Sequence, residues 1–303
     1  MSNFSDKKIL RLDTSKDKEE VWMMPGDEPP TNSELSPVNF VKSLSDSKLK
    51  YPKIQVVGSK QNIELLILIH EAKKKSKIDI SSMEVCTPLC CANSQQRDDT
   101  TATLYAMRRW TKWPSSKGGW HNFTDYDYIV YKLALESDLN KLTIPKENVE
   151  EFKSKHPLWT YLSFIPTIDE KYSSILVGLI LDPRWYIDIT NPDRVSKLES
   201  FLGIGSKSRY KKRYELLEKA WSNKSNFNNK DLENPRNFLL REAKGLTCDK
   251  GMLRASRKFL SYLRLCWLNL IYPKPTESLF DPGLFFSTKS EVSEFNNYMK
   301  SFR

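Results

Sequence analysis

The sequence predicts a mainly α-helical protein, with an α+β arrangement around a small central sheet as the alternative, and three observations carry that expectation. Apolar residues recur at helical spacing along most of the chain, helix start and stop signals repeat in its C-terminal part, and glycine is scarce, at 10 of 303 residues. Hydrophobic residues at 39% and aromatics at 12% suffice for a packed interior, so the composition is not that of a disordered chain. At this length one large domain or two modest ones are both reasonable.

Residues 1–50 are mainly Ser, Asp, Lys, Glu and Pro, and are expected to form a disordered or loosely docked polar tail. Trp22, Met23 and Met24 are its one apolar knot, expected to tether it to the body. Residues 51–190 form the expected central, mostly helical domain. Within it, Lys53–Val57 alternates weakly, like a short strand. Residues 63–72 form an apolar run followed by Lys73, Lys74, Lys75 and Lys77, the pattern of a helix whose C-terminal cations complement its dipole. Segments 100–112, 127–141, 146–154, 157–165 and 174–181 also read as helices. Asp182-Pro183 must end the last of them, because the residue before proline is pushed out of the α region. Residues 184–189 then read as extended.

Residues 191–303 form the expected basic, all-helical C-terminal domain. Asn191-Pro192 pairs a cap residue with proline at the first helical position, and Gly203 closes that helix. The same punctuation recurs at Asn234-Pro235 with Gly245. Between them, Tyr210, Tyr214, Leu217 and Trp221 form one stripe of a helix over 207–221. A longer helix is expected after Gly251, to about Ile271. Thr288 and Glu291 make a capping box for a last helix.

Charge supplies the main functional signal. Residues 205–264 contain 16 Lys+Arg against 6 Asp+Glu, whereas the rest of the chain is balanced, so the whole-chain excess of +10 is local. Clustered positive charge on a folded domain points to a polyanionic partner. Lys207, Arg209, Lys211, Lys212 and Arg213 crowd the start of one helix, where the dipole is already positive. On the long helix, Arg254, Arg257, Lys258, Ser261 and Arg264 project opposite Met252, Phe259, Leu263, Cys266 and Leu270, with no acid between residues 252 and 271. These nine cations are the candidate nucleic-acid contacts, for DNA or RNA, in a non-catalytic binding protein, possible accessory roles being replication, recombination or maintenance of a genetic element. The Gly203–Ser208 stretch lacks the preceding strand and full pattern of a triphosphate-binding loop.

Two other classes stand beside this one. The first is a metal-dependent nuclease or nucleotidyl transferase, for which Asp182 and Asp188 are the candidate carboxylates. The second is a structural or interaction component whose basic face meets an acidic protein. His70, His121 and His156 have no nucleophile at recognisable spacing and read as structural. Cys86, Cys90, Cys91, Cys248 and Cys266 are an odd number without framework spacing, which fits free thiols. Trp110, Trp113 and Trp120, near Arg108, Arg109 and Lys112, read as core aromatics. No cofactor or resident metal is expected. Residues 1–20 lack the apolar core of a secretory leader, and no apolar run reaches the roughly 18 residues of a membrane span, so the cytoplasm is the expected compartment. The sequence does not speak to oligomeric state.

Overall fold

The structure, a computed structural model, describes residues 9–15, 19–26, 28–46, 51–86, 120–186, 196–204, 210–222, 234–244, 248–271, 281–286 and 288–302. About 60% of the described residues are helical, and six strands form a mixed sheet. The chain divides into two compact units, residues 1–135 and 136–303. That division falls well before the 190/191 boundary that the change in composition suggested.

In the first unit the elements are β1 (Ile9–Thr14), β2 (Val21–Pro25), β3 (Thr31–Asn32), α1 (Pro37–Asp46), β4 (Lys53–Val57), α2 (Ile63–Lys74), β5 (Ser82–Cys86), β6 (Trp120–Asn122) and α3 (Asp125–Glu136). The sheet order is β3-β2-β1-β4-β5-β6; β1, β4 and β5 run parallel, and the remaining pairs are antiparallel. Register puts Leu10, Ile54 and Met83 in one row and Leu12, Val56 and Val85 in another, all buried. The alternate row is polar. Arg11 Nε donates to Gln55 Oε1 at 3.2 Å, and Gln55 Nε2 donates to Glu84 Oε2 at 2.9 Å.

This overturns the expected tail over residues 9–46, which carry three strands and a helix. The polar composition of the segment suggested a solvated tail, yet Arg11 and Asp13 within it are 1% and 2% exposed. Their polar atoms are matched by neighbours from distant strands and turns, which composition does not register. A strand at residues 53–57 and a helix from residue 63 follow the sequence expectation.

At the carboxyl ends of β1 and β4, Asn62 ties the sheet to α2. Its Nδ2 donates to Asp13 Oδ1 at 2.7 Å and to the Val57 carbonyl at 2.9 Å, while its Oδ1 accepts from the Thr14 N–H at 2.8 Å. Burial pushes the Asp13 carboxyl up to about 7, against hydrogen bonds that favour its charged form. Gly58 lies against the end of β5, where a Cβ would meet the Cys86 carbonyl oxygen at 2.5 Å. Between α2 and α3, His70 stacks on Tyr128 with centroids 5.0 Å apart, and its Nε2 lies 3.0 Å from Asp125 Oδ1. Hydrogen bonds from Lys74 and His70 hold the Asp125 carboxyl below its usual range.

The described regular elements of the second unit are helical, apart from an isolated bridge between Asp138 and Thr143. They are α4 (Lys146–Lys155), α5 (Leu158–Leu162), α6 (Glu170–Ile180), a 3-10 turn (Pro183–Tyr186), α7 (Ser196–Phe201), α8 (Lys211–Trp221), a 3-10 turn (Pro235–Asn237), α9 (Phe238–Ala243), α10 (Cys248–Ile271), a 3-10 turn (Pro282–Leu284) and α11 (Lys289–Lys300). Asn234 caps its turn by accepting from the Arg236 N–H, and the Thr288/Glu291 capping box is present in both directions. Gly203 takes φ +83°, with the Ile204 N–H bonded to the Glu199 carbonyl, which closes α7 as a left-handed cap. The Asn191-Pro192 start signal, Gly245, residues 100–112 and Trp110 and Trp113 lie outside the described residues.

Two local expectations are corrected. Residues 183–186 form a 3-10 turn instead of an extended segment, because proline's fixed φ suits a first helical position. The long helix begins at Cys248, so Gly251 lies inside it and is buried. There it does not mark a boundary.

The core of this unit is aromatic. Phe238 lies 5.3 Å from Tyr262 and 5.4 Å from Phe286, and Phe164 lies 5.1 Å from Phe295, at tilted or edge geometry. Arg236 donates to the Phe164 and Ser163 carbonyls at 2.7 and 3.0 Å. Burial pushes the Tyr262 hydroxyl and the Cys266 thiol well above their ordinary pKa values. Cys86 and Cys266 are both buried. No described helix is long and apolar enough to cross a membrane.

Candidate nucleic-acid interface

Helix α8 opens with Lys211, Lys212 and Arg213, an arrangement that opposes the dipole preference for acids in a first turn. Its inner face, Tyr214, Leu217, Ala220 and Trp221, is buried, and it packs on α10. Trp221 Nε1 donates to Ser256 Oγ at 3.1 Å, and the Tyr214 hydroxyl interacts with both Ser256 and Glu218. Three residues of the stripe read from the sequence, Tyr214, Leu217 and Trp221, therefore form a packing seam, while Tyr210 precedes the helix and is part-exposed.

The outer face of α8 carries exposed Lys211 and Lys212. Lys212 and Lys219 both reach Glu215, at 3.0 and 2.8 Å, and these contacts hold its carboxyl below the ordinary range, Lys219 most strongly. Arg213 turns inward. Its Nη1 donates to the Phe201 carbonyl at 3.0 Å, and its guanidinium lies 4.4 Å from the Phe201 ring centroid and 4.9 Å from that of Tyr210. Tyr186 packs on Phe201 with centroids 4.8 Å apart. Burial raises the Tyr186 pKa; Arg213 lowers it and Asp182 raises it, both from within electrostatic reach. Lys207 and Arg209 lie outside the described residues.

Helix α10 is two things in sequence. Through Arg257 it is amphipathic, with Arg254 and Arg257 exposed while Ala255 and Ser256 are buried. From Phe259 to Leu268 it is buried on nearly every side, against α5, α8 and α9 among others. Arg264 falls in this second half and is 3% exposed, which corrects its assignment to a solvent-facing cationic surface. Angular projection of a single helix is blind to the other helices that cover its far end.

No acid lies between residues 252 and 271 of α10, and the acids that meet its cations come from neighbouring helices. Arg254 Nε lies 2.7 Å from Glu242 Oε2, Lys258 Nζ lies 3.5 Å from Glu242 Oε1, and Arg257 Nε lies 3.6 Å from Glu199 Oε1. Lys258 also donates to the Leu284 carbonyl at 2.9 Å and sits over Phe285. Even so, the Arg254 and Arg257 side chains remain 65% and 51% exposed.

The carboxylate alternative fares differently at its two residues. Asp182 is 4% exposed and follows Leu181, whose backbone is at φ 65°, ψ −53°; Asp188 lies outside the described residues. No group of three or more His, Cys, Asp or Glu among the described residues could hold a metal ion. Burial drives the His156 imidazole down to about 3, and its Nδ1 accepts from the Leu158 N–H at 3.1 Å. That is the geometry of a neutral structural histidine.

Sequence reasoning missed Glu199 and Glu242, and it missed the layering of Tyr186, Phe201, Arg213 and Tyr210. Neither leaves a periodic signal, since the partners belong to different helices. No protein-family model, curated protein or solved structure matches the chain.

Proposed function

We propose that the second unit is a non-catalytic nucleic-acid-binding element that meets phosphates through Lys211 and Lys212 of α8 and Arg254 and Arg257 of α10. The observation that carries the reading is that both basic helices direct a cation to α7. Arg213 bonds the Phe201 carbonyl and Arg257 approaches Glu199, within one six-residue helix. The local excess of 16 cations over 6 acids supplies the field.

The ion pairs are compatible with such a role. Exposed pairs of this kind contribute about 0–1 kcal/mol, so a phosphate can take over an arginine from its glutamate at small cost. Lys258 and Arg213, held by carbonyls and rings, support the surface instead of forming it.

The test is affinity for labelled DNA and RNA as a function of salt. Log K should fall by roughly 0.9 per phosphate neutralised on duplex and about 0.7 on single strands. Glu242→Gln should tighten binding, because it frees Arg254 without removing a cation. No binding at about 50 mM salt, or a Glu242→Gln variant that binds more weakly, would overturn the reading.

A further inference from the structure

Resting on that reading, we infer that the nucleic acid is single-stranded, with a base stacked on Tyr210 and its flanking phosphates on Lys211 and Lys212. Tyr186, Phe201, Arg213 and Tyr210 form a continuous layered set with successive separations of 4.8, 4.4 and 4.9 Å. Tyr210 is part-exposed and immediately precedes the two exposed lysines. Its backbone is fixed at φ −127°, ψ 38° as the residue before the first turn of α8.

Gly203 makes the arrangement possible. A Cβ there would stand 2.8 Å from Tyr210 Cβ, so only glycine lets the α7 terminus and Tyr210 approach so closely. Arg213 both stacks on the ring and donates to a carbonyl, which immobilises the platform before any ligand arrives. A part-exposed ring braced from within, with cations one and two residues on, matches the pairing of stacking platform and backbone charge that holds unpaired strands. A duplex keeps its base faces inside and would use the lysines but not the ring.

Binding of the full chain to an oligothymidylate of about 20 nucleotides, and to a duplex of equal length, tests this. The oligothymidylate should bind more tightly than the duplex. Tyr210→Leu should weaken the oligothymidylate at least fivefold, the lower end of a base–aromatic stack, and leave the duplex within about twofold. Tyr210→Phe should bind as the wild type does. Equal affinity for both nucleic acids, together with Tyr210→Leu behaving as wild type, would overturn the inference and leave the polyanion reading standing. Binding of neither would overturn that reading itself. Where melting shows that the leucine variant folds poorly, Tyr210→Trp takes its place. It should hold the oligothymidylate at least as tightly as the wild type, and a weakened tryptophan variant overturns the platform.

Discussion

The two units hold their charge in opposite ways. In the first, the decisive polar groups are inside: Asp13 and Asn62 are 2% and 0% exposed and bond to each other and to backbone. In the second, Lys211 and Lys212 of α8 and Arg254 and Arg257 of α10 lie at the surface, and the ion pairs of the two arginines leave them more than half exposed. Buried partners cannot be exchanged for water, so they act as fixed structure. Surface pairs can be exchanged, which leaves their cations available to a ligand at little cost in stability.

The largest expected effects therefore fall in the first unit. Asn62→Leu removes the buried amide's bonds to Asp13, the Thr14 N–H and the Val57 carbonyl at once, leaving the Thr14 N–H on Asp13 alone, and should cost about 3 kcal/mol or more in denaturant unfolding. A loss below about 1 kcal/mol would mean that water replaces the amide and that the site is not sealed.

A pH dependence of comparable size should accompany it. The folded-state pKa of Asp13 lies above its unfolded value, so the native state binds the proton more tightly. Its contribution is complete below about pH 4 and fades as pH rises through about 7, on the order of 4 kcal/mol in all. Asp13→Asn keeps an acceptor for Asn62 and Thr14, and should flatten this part of the stability profile. An unchanged slope would place the titrating group elsewhere.

The smallest effect should be at the surface. Arg254→Gln should change stability by less than about 1 kcal/mol, while reducing the salt slope of nucleic-acid binding. A much larger loss would show that the pair with Glu242 is structural, and would erase the contrast between the units.

Much of the second unit's local grammar was legible in the sequence. The Asn234 cap, the left-handed Gly203 and the Thr288/Glu291 box depend on residues within a few positions of one another, so local pattern specifies them. The first unit was harder to read. β1 mixes Arg11 and Asp13 with leucines, and the partners that make those residues buriable lie at Gln55 and Asn62. The candidate interface was legible in part: the cations were named, but their acids, from α7 and α9, were not.

By itself the sequence determined where most of the helices of the second unit lie, that the positive charge is local, and which residues carry it. Those properties follow from neighbours along the chain. Only the tertiary structure decided that residues 9–46 belong to a sheet and a helix, that Arg264 is interior, and that Glu199 and Glu242 answer the cations of α10. Burial and pairing are relations between segments far apart in sequence, and helical or strand periodicity records only which side of its own element a residue takes.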